Sequence, residues 1–192
     1  PMEQKKTYPS LHDLCTEQGI DIADIINRRV LVFTGPKGSG KDTACANPLL
    51  ERARLRRLRF PQERPLFERV PFAGAIKQSC SILYGLTEEE MEDSILKEKT
   101  LSRWPWQPPR KLLQDDANAK REQYDGYFHV RAWLRAVAKS RAHCIVVTDL
   151  RFPEELQILH EMHNAWIAWV DRQEAQRRLE ESIKAGDPLS RN

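Results

Sequence analysis

The chain has 192 residues, 40% hydrophobic and 31% charged, and its 31 Lys and Arg against 28 Asp and Glu leave a net charge of +3. That length suits one compact domain, and five Trp, six Phe and four Tyr argue against disorder despite a mean hydropathy of -0.64. No apolar run approaches the ~20 residues of a membrane span, no secretory leader is evident, and a pI near 8.8 is less basic than a dedicated duplex binder.

Pro1 reads as a tag-cleavage remnant and Met2 as the initiator. Ser10 opens a helix with Leu11, Leu14 and Cys15 on one face, and a short turn after Gly19 carries Ile20, Ile22, Ile25 and Ile26. Val30–Phe33 is a continuous apolar run, as in a strand of a parallel sheet buried on both faces. A helix is predicted over Thr43–Leu58, with Pro48 early in it or kinking it. Phe67–Phe72 is a strand, Ala73–Tyr84 a helix stopped by Gly85, and Thr87–Glu90 a capping box. The three prolines of Trp104–Pro109 mark a loop. Val130, Trp133, Leu134, Val137 and Ala138 repeat at helical spacing, with Trp133 a core residue. His143–Thr148 and Ala165–Val170 are strands, and Pro153–His163 and Asp171–Ala185 helices. This alternation predicts α/β architecture with a central parallel sheet flanked by helices.

Cys15, Cys45, Cys80 and Cys144 lie far apart without a C-x-x-C pair, so reduced and mostly buried thiols are expected, in an intracellular, cytoplasmic protein. His160 and His163 in HEMH have a spacing that surface helices give often, and zinc is not expected there.

The first strand runs directly into Gly35-Pro36-Lys37-Gly38-Ser39-Gly40-Lys41-Asp42-Thr43, a G-x-x-x-x-G-K sequence with a strand before it and a helix after. Glycines let backbone N–H groups close around a phosphate without a Cβ in the way, and the helix adds its positive end. Lys41 would reach the β and γ phosphates of a nucleoside triphosphate. Asp42 stands where Ser or Thr commonly holds Mg²⁺; its carboxylate could do so through water, and Thr43 could supply a hydroxyl. Ile145–Asp149 is an apolar strand ending in an acid. Beside the loop strand, Asp149 would face Mg²⁺, and Arg151 could neutralise charge on the transferred group.

GPKGSGKDT, PFAGAIK, YGLTEEEMED, LKEKTL, PRKLLQ and VVTDLRFPEE occur in that order. Together they resemble the bacteriophage deoxynucleoside monophosphate kinases, a branch of the P-loop nucleotide kinases. SGKD, the AIK segment and VVTD are more distantly similar to animal phosphomevalonate kinase. The resemblance covers roughly residues 30 to 170. It implies a P-loop kinase fold as a single domain over 1–192, with a mobile acceptor-binding region near 74–128, a lid, and ATP and Mg²⁺ as cofactors. It also implies that Lys77, Arg110 and Arg151 contact acceptor or donor phosphates, that Asp149 serves Mg²⁺, and that Arg172 and Arg177 are donor-side groups. If the chain is phage-encoded, its place is the host cytoplasm.

The chain departs from the family pattern at Gly74-Ala75, where Asp-Pro is usual. It also departs at Asp115–Arg121, where the family continues with Gly-Thr and an acid in a segment that helps read the acceptor; Arg121 is the basic residue there. The family's last strand would fall beyond Asn192.

Arg52, Arg54, Arg56, Arg57 and Arg59, followed by Arg64 and Arg69, are either a solvated helix face with partners such as Glu51 and Glu63 or a surface tracking a polynucleotide. Trp104 and Trp106, interleaved with Arg103 and Arg110, could stack bases of DNA, hold a mononucleotide base, or pack a proline-rich loop. Asp93, Glu98, Asp115, Asp116 and Asp125 could serve as bases toward an acceptor hydroxyl, which a phosphate acceptor would not need. The expected activity is transfer of the ATP γ-phosphoryl group to a deoxynucleoside monophosphate. The alternative acceptor is the hydroxymethyl group of 5-hydroxymethyluracil in DNA, phosphorylated by a related phage DNA-modifying kinase.

Overall fold

The apolar run after Arg28 forms β1 (Arg29–Thr34) in the computed structural model, which describes residues 8–36, 38–171 and 177, apart from the side chains of Ala44 and Cys45. β1 lies inside a four-stranded sheet of order β2-β3-β1-β4, with β2 at Phe67–Arg69, β3 at Cys144–Val147 and β4 at Ala165–Trp169. All three pairings are parallel, so the alternating pattern did define an α/β chain with a parallel sheet flanked by helices. All four residues of β3 are buried, as are Val30 and Val32 of β1, the burial expected of inner parallel strands. β4, at the sheet edge, is otherwise: Trp166, Ile167 and Trp169 are exposed.

The chain divides into two compact units, residues 1–71 with 134–192, and Phe72–Trp133. The first holds the sheet, α1 (Leu11–Glu17), α2 (Ile22–Ile26), a π-helical stretch Lys41–Ala46, α3 (Asn47–Arg59) and α8 (Pro153–Glu161). α1 starts at a reciprocal cap: Ser10 Oγ accepts the Asp13 N–H and the Asp13 carboxylate accepts the Ser10 N–H, at 3.2 and 3.0 Å. Its buried side chains are Leu11, Leu14 and Cys15, as the spacing predicts. Arg28 donates to the carbonyls of Val137, Ser140 and Ala142, tying the residues before β1 to those before β3.

The helix expected over Thr43–Leu58 differs in pitch. Pro48 has no N–H to donate and cannot sit inside an α-helix. The chain therefore winds as a π-helix over Lys41–Ala46, and α3 starts at Asn47, with Pro48 in its first turn. The β2 strand is also shorter than expected, although the Val70 N–H still donates to the Val146 carbonyl.

The second unit contains α4 (Gly74–Tyr84), α5 (Glu88–Glu92), a 3₁₀ turn Leu96–Glu98, α6 (Pro109–Gln123) and the first half of α7 (Phe128–Lys139). Gly85 ends α4 in the left-handed conformation at φ 63°, and Thr87 and Glu90 cap α5 reciprocally. Ile76, Cys80, Leu86, Met91, Leu101 and Leu112 form its core, and Trp133 stacks on Phe72 at 4.7 Å between ring centroids. The helix α6 was not among the sequence-based expectations, which assigned no element between Pro109 and Val130. Cys15, Cys80 and Cys144 are free and buried. Among the described residues no helix is long and apolar enough to cross a membrane. The closing helix expected over 171–185 falls, apart from residues 171 and 177, outside the described residues.

Candidate functional site

The loop after β1 is shaped by three glycines. Gly35 has φ 149°, and a Cβ there would lie 2.2 Å from the Val170 carbonyl oxygen, so no other residue lets the chain leave β1 along this path. Gly38 and Gly40 have φ 81° and 84°. Between them Ser39 is buried, and its N–H donates to the Pro36 carbonyl at 3.1 Å. Left-handed residues alternating with ordinary ones are the conformation in which backbone N–H groups can line a concave anion-binding surface. Gly40 is followed at once by the helical run from Lys41, whose first N–H groups have no intrahelical acceptor. Lys37, expected to be part of this loop, lies outside the described residues.

The sheet places three strand ends around this loop. Val32 pairs with Val147 of β3 and Thr34 with Trp169 of β4. Just beyond, Thr34 Oγ1 donates to the Leu150 carbonyl at 3.5 Å, and the Val170 N–H donates to the Thr34 carbonyl at 2.7 Å. The chain leaves β1 toward one edge of the sheet, returns as β3, and later crosses to β4 on the other side. Such a switch point, outside the carboxyl ends of the strands, is where open parallel sheets bind ligands. Asp149, half-buried, lies two residues beyond the end of β3 and next to Leu150, whose carbonyl accepts from Thr34 at the end of β1.

Lys41 is half-buried, with no ion pair to its ammonium among the described residues, and Thr43 is exposed. Asp42 is engaged: Arg69 donates from one guanidinium nitrogen to Asp42 Oδ1 and to Thr148 Oγ1, both at 2.9 Å. The register explains this reach, since Arg69 pairs with Val146 and Thr148 is two residues on along the same side of β3. Arg69 belonged only to the basic run in the sequence; its place at the loop depends on a pairing the sequence does not print. Arg151 has an exposed side chain, while its N–H and that of Phe152 donate to Glu155 Oε2 at 2.8 and 3.1 Å. Glu155, 3% exposed, thereby fixes the turn that follows Asp149. In the sequence it stood only as the last residue of VVTDLRFPEE, three residues into a helix beginning at a proline, with no role assigned to it.

In the second unit, Lys77 pairs with Glu92 at 2.5 Å beside an open cavity of about 390 Å³, lined also by Gln78, Ser81, Ile82 and Met91. Arg110 pairs with Glu98. Arg121, half-buried, stands on the same α6 face as Arg110, eleven residues or about three turns away, roughly 16 Å along the axis. Trp104 and Trp106 are 58% and 64% exposed. Their loop has a cis Trp104–Pro105 bond and a left-handed Trp106 at φ 55°, and the Trp104 ring meets Tyr84 at 5.9 Å. Arg103 anchors the loop through both oxygens of Glu90, at 2.8 and 2.7 Å, and the Gly85 carbonyl at 2.8 Å. The Arg103 guanidinium holds Glu90 down at about 2, and burial pushes the Cys80 thiol up to about 11.

Arg172 lies outside the described residues, and of Arg177 only an exposed helical position is described. Compared with protein-family models, curated proteins and solved structures, the chain matches none.

Proposed function

We propose that this chain is a P-loop kinase transferring the γ-phosphoryl group of ATP to a deoxynucleotide, with a deoxynucleoside monophosphate as the favoured acceptor. The observation that carries the reading is the loop Gly35–Lys41, with three positive-φ glycines between a parallel inner strand and a helix, at the carboxyl ends of β3, β1 and β4. A triphosphate fits these residues. The positive-φ glycines lead straight into the helical run from Lys41, whose first N–H groups have no intrahelical acceptor, and the Lys41 ammonium has no ion pair among the described residues.

Mg²⁺, when bound, would neutralise charge on the phosphates and on the group in flight. Asp149 and Thr43 are its candidate holders, with Asp42 contributing through Oδ2 and water, because Oδ1 already accepts from Arg69. Lys41 holds the transferred group in line and stabilises its charge. Arg151, held by its backbone to Glu155 and exposed at the guanidinium, closes on the same charge. Lys77 and Arg110 bind the acceptor phosphate, displacing Glu92 and Glu98 from their ion pairs. A phosphate acceptor needs no general base, since its oxygen is already nucleophilic at neutral pH.

The exposed Trp104 and Trp106 support a second reading, in which a bacteriophage DNA-modifying kinase phosphorylates the hydroxymethyl group of 5-hydroxymethyluracil in DNA. Transfer of radiolabel from ATP to free deoxynucleoside monophosphates and to hydroxymethyluracil-containing DNA decides between them. Label on monophosphates is the expected result; label on DNA alone supports the second reading, and no label on either overturns the kinase assignment.

A further inference from the structure

The positive charge of this protein is concentrated on one helix. Between residues 51 and 64 there are six arginines and two glutamates, an excess larger than the +3 of the whole chain. Only Ala53 of α3 is buried. Two of the arginines are neutralised, Arg54 by Glu51 and Arg56 by Glu63, each at 2.8 Å. Arg52, Arg57, Arg59 and Arg64 are exposed and have no carboxylate partner among the described residues.

Guanidinium groups held close together without counter-charges repel one another, and a polyanion relieves that repulsion. Arg52 and Arg59 are seven residues apart, nearly two turns, so they share a face about 10 Å long. Arg59 also lies over the ring of Phe60 at 5.4 Å, and Phe60 is 44% exposed. An aromatic ring beside a cation at the end of a basic stripe is the combination that binds single-stranded nucleic acid, with phosphates along the cations and a base on the ring. A membrane surface fits less well. The exposed apolar residues Leu55 and Leu58 cover only about 60° of the helix, short of the ~100° face a helix lying in lipid presents.

We propose that α3 and the turn through Phe60 form a binding surface for single-stranded nucleic acid. Arg52 and Arg59 contact phosphates and Phe60 stacks a base. This surface is separate from the Gly35–Lys41 loop and does not depend on phosphoryl transfer.

The test is fluorescence anisotropy of a labelled single-stranded oligonucleotide of about 20 nucleotides, without ATP, between about 50 and 200 mM salt, where each lost phosphate contact changes the salt slope by about 0.7. The expected result is binding that weakens steeply with salt. Arg52→Gln/Arg59→Gln should weaken it at least about 10-fold at low salt and lower the slope by about 1.4. Phe60→Ala should weaken it with the slope unchanged, and Arg54→Gln, whose side chain is already paired, should change it little. Because these side chains are exposed, thermal melting should be the same for all variants. Absence of binding by the wild type, an unchanged slope in the double variant, or tighter binding to phosphatidylserine vesicles than to the oligonucleotide would overturn the proposal. Since ATP is absent, a chain that transfers no phosphoryl group is still judged on binding alone.

Discussion

Arg69 and Asp42 form an ion pair at 2.9 Å, joining the end of β2 to the first turn after the glycine loop, and Thr148 accepts from the same guanidinium nitrogen. The pair explains how a carboxylate is tolerated where phosphate is proposed to bind: part of its charge is met from within the protein. Both side chains are partly exposed, at 31% and 44%, so solvent screening limits the pair to about 1 kcal/mol of stability. Arg69→Ala is therefore expected to lower stability by about that amount while reducing ATP-dependent transfer at least about 10-fold. Arg69→Lys should recover stability before rate, because an ammonium restores charge without the planar donor geometry. Steady-state kinetics beside chemical denaturation make the comparison; wild-type turnover in Arg69→Ala would remove Arg69 from the site.

Lys41→Ala should leave the fold intact and reduce transfer about 10²–10³-fold, as for loss of one preorganised charge donor. ATP turnover and circular dichroism on the same preparation test this, and near-full activity would falsify the proposed role.

Gly35→Ala brings a Cβ to 2.2 Å from the Val170 carbonyl oxygen, at a φ of 149° that side chains rarely adopt. Backbone must move at the junction of β1 and β4, and a loss of about 3 kcal/mol or more is expected. Gly38→Ala meets no atom within 4 Å, although φ 81° still strains it, so it should destabilise less. Denaturant midpoints of the two variants give the order, and equal midpoints would contradict it.

Much of this fold was legible because its signals were local. The caps at Ser10 and Thr87 are complete within four residues each, and the apolar runs of β1 and β3 announce inner parallel strands. α6 gave no such signal. Of its fifteen residues only Pro109 and Leu112 are buried, so the polar stretch after Leu113 has helix formers but little apolar periodicity. The strand expected over Ala165–Val170 forms as β4, but its apolar composition does not tell its burial: most of it is exposed, because burial at a sheet edge depends on what lies outside the strand. At the candidate site, Lys41 and the glycines were visible as a motif and Asp42 as an anomaly. Arg69, the partner of Asp42, is 27 residues away and meets it only through the β2–β3 register.

Stability in acid should carry the mark of Glu90. Arg103 holds its carboxyl at about 2 instead of 4.5, so the unfolded chain binds a proton here at pH values where the folded one does not. The contribution is complete above about pH 4.5 and is lost as pH falls toward 2. With Arg103 42% exposed, about 1 kcal/mol is expected. Glu90→Gln should thus be less stable than wild type by about that amount at neutral pH, with the gap narrowing toward pH 3 in urea titrations. A gap independent of pH would show that the ion pair contributes nothing.

The placement of β1 has a consequence for the nascent chain. Among the described residues, Val30 pairs across the sheet with Ile145 and Ala165, over a hundred residues later. While the ribosome makes the intervening segment, an apolar strand and the glycine loop after it must wait with both edges open. Phe72–Trp133 has no such delay, because the helices and core of that unit come from one continuous stretch. During synthesis that unit can therefore be finished while the sheet is still incomplete, and the loop takes its final shape only after β3 and β4 arrive.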